Sequence, residues 1–230
     1  MPAVVHNPVL FCWSGGKDSA LALETLLRDG VPVSGLLTTV TESYERIAMH
    51  GVRRSLLHRQ AEAVGLPLYE VRIPAGCGNS LYEARMEEAL RAQLALGVRR
   101  VAFGDIFLAD LREYRERNLA RAGMEALFPL WRRDTGALAK EFCRRGFRAV
   151  AVCVDAKRLP APFAGRELDE SFFRDLPADV DPCGENGEFH SFVYQGPLFS
   201  RPLDVERGEV VEREGFYFCD LKEKPHGPAA

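Results

Sequence analysis

The chain has no run approaching the ~20 consecutive apolar residues that a membrane span needs. Its opening stretch, MPAVVHNPVL, lacks the basic cluster and long apolar core of a secretory leader. The expectation is a cytoplasmic protein with no membrane partner. Its six cysteines (Cys12, Cys77, Cys143, Cys153, Cys183, Cys219) contain no C-x-x-C pair, which argues against a zinc knuckle or a redox dithiol. Buried, reduced thiols are expected instead. Positive charge is not in excess either: 30 Lys and Arg stand against 33 Asp and Glu, for a formal charge of −3. That balance gives no global basic field to gather nucleic acid, so nucleic acid is not an expected partner. The arginine doublets, such as Arg53-Arg54 and Arg144-Arg145, border apolar segments and read as solvated helix ends. Internal repeats and low-complexity blocks are absent, as are the nucleotide loops G-x-x-x-x-G-K-[ST] and G-x-G-x-x-G.

What is present is an ordinary soluble composition, 47% hydrophobic and 27% charged over 230 residues, enough to bury a sizeable core in one large or two modest α/β units. Val9–Trp13 reads as a buried strand. Lys17–Arg28 reads as a helix with Ala20, Leu23, Leu26 and Leu27 on one face, stopped by Asp29-Gly30. Strand patterns over Val31–Val40, Leu68–Ile73 and Arg100–Gly104 alternate with helical ones over Val52–Val64, Ser80–Leu96 and Leu111–Ala122. Such alternation predicts a parallel sheet with helices on both faces. A helix over Thr135–Arg145 and a strand over Ala149–Val154 follow. Proline and glycine then punctuate short strand candidates at Glu188–Tyr194 and Val210–Phe218, and the tail 222–230 is expected to fray. The reading is a nucleotide-type α/β domain over 1–127 and a smaller mixed domain over 128–230.

The most pointed local signal is S-G-G-K-D-S, Ser14-Gly15-Gly16-Lys17-Asp18-Ser19, between the first strand and the first helix. A helix N-terminus directs unpaired N–H groups and positive dipole at an anion. Glycines let backbone approach phosphate oxygens, while Lys17, Ser14 and Ser19 add donors and one charge. A polyphosphate fits. Asp105 falls at the C-terminal edge of the fourth strand, where open parallel sheets bind ligands. It suits either a Mg²⁺ held through water or a helix cap. Thr38 and Thr39 end the second strand at the same edge and read as adenine or ribose contacts or as plain β-branched strand residues. His50 starts the next helix and reads as a ligand-facing or a surface residue. In Glu188-Phe189-His190, alternation puts Glu188 and His190 on one face. With Glu185 they form a carboxylate–imidazole set able to bind or deprotonate ammonium, or to line a half-exposed strand.

S-G-G-K-D-S after a first strand resembles the pyrophosphate loop of the ATP pyrophosphatases. Three further stretches, GDIFLADLREYRERN (104–118), LFPLW (127–131) and GENGEFHSFVYQGPLF (184–199), resemble in order and spacing segments of the diphthine-ammonia ligase family. The similarity covers nearly the whole chain. It implies a Rossmann-like fold of the adenine nucleotide α-hydrolase type with a smaller α+β substrate domain. It also implies ATP with Mg²⁺ as cofactors, and ATP-driven amidation of a small-molecule or protein carboxylate by ammonia, with AMP and pyrophosphate released. Under that resemblance Ser14–Ser19, Thr38, Thr39 and Arg115 bind nucleotide. Lys17, Asp18, Glu185, Glu188 and His190 are the catalytic candidates, and Asp18 and Asp105 are the metal candidates. A homodimer is left open.

The chain departs from the family where diphthine enzymes typically read Glu-Gly-Gly-Glu, an aromatic, then Glu. Here the residues are Glu185-Asn186-Gly187-Glu188-Phe189-His190. That departure, with Asp105 and the DPCGEN lead-in, is closer to a bacterial branch. Because bacteria do not make diphthamide, an acceptor other than diphthine is expected. The competing readings are a tRNA-modifying enzyme with the same loop, and a sensor that holds ATP without chemistry.

Overall fold

The computed structural model describes residues 8–42, 46–47 and 51–224. His50 and residues 225–230 of the tail lie outside the described residues. The first sheet is built from β1 (Val9–Cys12), β2 (Val33–Thr41), β3 (Arg46–Ile47), β4 (Leu68–Ile73), β5 (Arg100–Ala102) and β6 (Glu125–Leu127). In space the order is β4-β2-β1-β5-β6, all parallel, with the short β3 antiparallel to the end of β2. Between them run α1 (Lys17–Arg28), α2 (Arg54–Val64), α3 (Asn79–Ala95) and α4 (Ala109–Arg121).

Strand alternation divides the core. Phe11, Leu36 and Ala102 pack with Leu23, Leu56 and Leu57 of α1 and α2; Leu10, Leu37, Val71 and Val101 face Leu90 and Leu119 of α3 and α4. Helices therefore cover both faces, as the alternation predicts. The chain runs outward from β1 to β2 and β4, then crosses back to β5, so the strand order reverses between β1 and β5. Ligands bind open α/β sheets at such a point, beyond the carboxyl ends of the strands.

The remainder forms a smaller unit. α5 (Thr135–Arg144), β7 (Arg148–Asp155), α6 (Glu170–Asp175), β8 (Phe189–Gln195), β9 (Val205–Arg213) and β10 (Phe216–Glu223) give an antiparallel sheet ordered β8-β7-β10-β9. Val150 and Phe192 of this sheet, with Phe142 of α5 and Phe172 of α6, share one core with α1 and α2. Arg145 reinforces this packing by pairing with Glu24 of α1 and, at 2.7 Å, with Glu141 of α5.

Two expectations change. The single strand expected over Val210–Phe218 is a hairpin. Glu214 (φ 52°) and Gly215 (φ 82°) form its two-residue turn, the doubly left-handed geometry that matches strand twist. Leu27, expected on the buried face of α1, is 41% exposed, and Leu21 is buried instead.

Candidate functional site

Gly15 and Gly16 let the chain leave β1 and enter α1 with little room to spare. Gly15 has φ +78°, and a Cβ there would lie 2.6 Å from Gln60 Oε1; one on Gly16 would lie 3.1 Å from the Ser191 carbonyl oxygen. Only glycine fits Gly15 without strain. The loop is then fastened internally: the Ser14 amide donates to Ser19 Oγ at 3.2 Å, the two serine hydroxyls lie 2.7 Å apart, and the Gly16 amide donates to Ser14 Oγ at 3.3 Å. Gly104, just past β5, packs directly on the start of α1, where a Cβ would come 3.0 Å from the Asp18 carbonyl carbon. The S-G-G-K-D-S loop and the Gly104-Asp105 loop thus meet at the crossover point of the sheet.

The second unit supplies the back of the loop. Val193 of β8 donates its amide to the Gly15 carbonyl at 2.9 Å. Ser191 Oγ accepts the Lys17 amide at 3.1 Å. Gln60, fully buried on α2, joins all three elements: its Nε2 donates to the carbonyls of Gly15 (3.0 Å) and Val193 (2.6 Å), and its Oε1 accepts from the Trp13 indole at 2.9 Å. Neither Gln60 nor Ser191 stood out in the sequence. The available signal for Gln60 was a polar residue on the apolar stripe Leu56, Leu57, Ala61.

Lys17 is 2% exposed. Its ammonium donates to both Asp18 carboxylate oxygens, at 2.9 and 2.8 Å, and to the Cys183 carbonyl, with the Phe189 ring 5.3 Å away. Burial disfavours this charge, but Asp18 beside it more than compensates, so Lys17 stays protonated with a pKa above the ordinary lysine value. The loop therefore holds a fixed positive charge at the N-terminus of α1. Burial pushes the Cys183 thiol well up, and its Sγ donates to the Thr135 carbonyl at 3.5 Å, an environment that disfavours a thiolate.

The Asp181–Glu188 loop is shaped by its own carboxylates. Asp181 accepts the amides of Cys183 and Glu185, each at 3.0 Å. Glu188 accepts from the Asp181 amide (3.1 Å), the Asn186 amide (3.0 Å) and the Asn186 side chain (3.0 Å). Burial raises the Glu188 pKa, but these donors outweigh it and hold the pKa below the carboxylate norm. Glu185 reaches the other unit, accepting from the Ile106 amide at 2.7 Å and the Phe107 amide at 3.3 Å, beside Asp105. Burial lifts its pKa to about 7. His190 of β8 is held neutral, its pKa lowered to about 4 by burial and by the Lys17 charge.

These two shifts act oppositely on stability. His190 contributes stability above pH 6.5 that is lost as pH falls toward 4, whereas the ionisation cost of Glu185 is relieved as pH falls from 7 toward 4.5. Glu185→Gln should therefore steepen the loss of stability on acidification, and His190→Gln should flatten it, by on the order of 1–3 kcal/mol each. Urea melts from pH 7.5 to 4.5 test this; parallel curves for both variants and the parent would contradict it.

Asp105 pairs with Arg115 of α4 at 2.7 Å, and the guanidinium lies 4.3 Å from the Phe103 ring centroid. Thr38, buried, and Thr39 follow directly on the β1 register, since Trp13 donates to the Leu37 carbonyl at 2.8 Å. They do not end β2 as expected, because pairing with β4 carries the strand on to Thr41; they lie just beyond the last β1 partner, Leu37. Among the described residues no group of three or more His, Cys, Asp or Glu side chains could hold a metal ion. Mg²⁺ bound through phosphates needs only one or two carboxylates. Asp18, a quarter exposed beside the loop, suits that use, as does Asp105, whose buried Oδ2 has no well-aligned hydrogen bond.

A parallel sheet with a glycine-rich, lysine-bearing anion loop at its crossover point, backed by a small antiparallel unit, defines a pyrophosphate-loop α/β protein. Family models agree: one described as Diphthamide synthase N-terminal domain matches residues 8–126, and one described as Diphthamide synthase C-terminal domain matches residues 134–225. Proteins named diphthine–ammonia ligase are similar along most of the chain. The Danio rerio protein is 28% identical over 223 residues, covering 86% of both chains, and the Homo sapiens protein is 28% identical over 224 residues, covering 86% of this chain and 82% of the relative. The Schizosaccharomyces pombe protein is 27% identical over 235 residues, covering 94% of this chain, which spans only 39% of that longer relative. The chain belongs to the diphthamide synthase (diphthine–ammonia ligase) family of ATP-dependent ligases. Among the described residues no helix is long and apolar enough to cross a membrane.

Proposed function

We propose that this chain adenylates a carboxylate with Mg-ATP and amidates it with ammonia, residues 1–127 holding the nucleotide and residues 128–230 bracing the loop and supplying Glu185 and His190 at its edge. The observation that carries this reading is Lys17: a buried, fixed ammonium at a helix N-terminus, at the crossover point of the sheet, braced by the second unit. Ser14, Gly15, Gly16, Lys17, Asp18 and Ser19 cradle the polyphosphate, with Thr38 and Thr39 toward adenine and ribose. Asp18 and Asp105 are the carboxylates that would hold Mg²⁺, and the ion would supply charge neutralisation on the phosphates. An oxygen of the acceptor carboxylate attacks the α-phosphorus, the bond to the bridging oxygen breaks, and pyrophosphate departs with charge that Lys17 stabilises. The nitrogen lone pair of ammonia then attacks the acyl carbon, AMP leaves with the C–O electron pair, and the surplus proton passes to Glu185 or His190. Glu185 has a pKa near the working pH, as a general base requires. Glu188, its oxygens committed to loop amides, positions Glu185 and the Cys183 carbonyl.

The proposed acceptor is other than diphthine, because the motif Glu185-Asn186-Gly187-Glu188-Phe189-His190 departs at His190 from the second glutamate typical of the diphthine enzymes. Membership of a ligase family does not favour the tRNA-modifying and sensor readings. Exchange of labelled pyrophosphate into ATP tests the adenylate. The expected result is exchange that needs a carboxylate-containing extract but no ammonium; exchange that requires ammonium would contradict a separate adenylation step.

A further inference from the structure

The face of the sheet away from the second unit holds a cavity of about 100 Å³ between α3 and α4. Its floor is Cys12 and Phe103, just at the carboxyl ends of β1 and β5, and its walls include Tyr82, Met86 and Leu90 of α3 and Tyr114 of α4. These strand ends flank the crossover point, and Cys12 stands two residues before the Ser14–Ser19 loop, so the cavity lies under that edge of the sheet, on the face opposite α1. Arg115 lines it, resting on Phe103 and reaching Asp105. The Arg115 Nε and Asp105 Oδ2 atoms are buried and 2.7 Å apart without a well-aligned hydrogen bond, while Arg115 Nη2 donates to Asp105 Oδ1 at 3.2 Å, so Asp105 occupies one side of the guanidinium.

We propose that this cavity is the acceptor subsite, and that the acceptor is a carboxylate carrying a compact aromatic or branched apolar group. The inference rests on the ligase reading above and names its substrate class. Apolar walls favour a ring or short hydrocarbon, and a partly open cavity of this order is large enough for about one benzene-sized group. A guanidinium presents five N–H donors, of which Asp105 engages only part, so it can take a second carboxylate in a forked geometry. Arg115 links the two sites. A carboxylate held by it lies beside Asp105, at the strand edge where the α-phosphate is expected, with its apolar group pointing down between the helices. Glu83 and Glu87 at the same cavity disfavour a ligand with an additional anionic group at its apolar end.

The experiment uses phenylacetate as probe and 2-phenylethanol as its uncharged counterpart, without nucleotide. The Met86 methyl resonance of the full chain is followed by carbon-13 methionine NMR. Phenylacetate is expected to shift Met86 saturably, with at least tenfold weaker binding in Arg115→Met and in Met86→Trp as read by calorimetry, and 2-phenylethanol is expected to bind at least tenfold more weakly than phenylacetate. Binding should persist in Lys17→Ala. If Met86 does not respond, or if the alcohol binds as well as the acid, the subsite is overturned. Because no ATP is present, those outcomes are independent of whether the chain cleaves ATP. Should Met86→Trp fail to fold, the Met86 shift and the Arg115→Met comparison decide alone.

Discussion

Lys17→Ala is expected to lower ATP-dependent AMP formation by at least about a hundredfold, which corresponds to about 2.7 kcal/mol of lost transition-state stabilisation. The buried ammonium is held at the N-terminus of α1 by Asp18 and the Cys183 carbonyl, so it is placed before the reaction begins and needs no reorganisation when charge develops on pyrophosphate. Alanine leaves the Asp18 carboxylate without its partner and the Cys183 carbonyl without this donor. Breaking a buried pair by removing one member is costly in itself, and circular dichroism with a urea midpoint must accompany the rate. A variant that is folded and within threefold of the parent rate would remove the loop from the mechanism.

Gln60→Leu is expected to destabilise the protein by about 3 kcal/mol or more, and to weaken ATP binding by loosening the Gly15 backbone that Gln60 holds. Its amide is fully buried and makes three hydrogen bonds, to Gly15, Val193 and Trp13. Each buried polar group left unmet costs ~1–3 kcal/mol, against a total stability of about 5–15 kcal/mol. Leucine matches the volume roughly and adds no charge, so lost hydrogen bonding dominates. The readouts are the urea midpoint, the emission of Trp13, whose indole loses its acceptor, and nucleotide affinity. A midpoint change equivalent to less than 1 kcal/mol would show that the loop does not depend on this bridge.

The sequence was most informative where local chemistry and tertiary structure agree. Leu68–Ile73 is β4 in full, and Gly65, with φ 77°, closes α2 where a helix stop is expected. The glycine, lysine and hydroxyl pattern of Ser14–Ser19 marks an anion loop through backbone geometry alone, and its position after β1 is set by the adjacent apolar run. What was not legible depends on distant partners. Ser191 and Val193 meet the loop from more than 170 residues away in sequence, a contact that no periodicity encodes. Glu188 and His190 look equivalent by strand alternation, yet Glu188 sits just before β8 and turns into the Asp181 loop, whereas His190 lies within the field of Lys17. The hairpin at Glu214-Gly215 lay in the polar break Glu212-Arg213-Glu214-Gly215 between Val210-Val211 and Phe216-Tyr217-Phe218, and the single strand expected there ran across it; the turn is set by two left-handed residues. Arg115 was selected from its family likeness, and only the structure joins it to Asp105, Phe103 and the cavity.

The central claim is cleavage between the α and β phosphates. Purified protein, ATP labelled separately at the α and γ positions, Mg²⁺, ammonium and a metabolite extract containing carboxylates would be incubated beside Lys17→Ala, and the nucleotide products resolved. The account predicts labelled AMP and pyrophosphate in equal amounts, dependent on Lys17 and on the extract. ADP with inorganic phosphate, or tight ATP binding with no turnover under any acceptor, would contradict it.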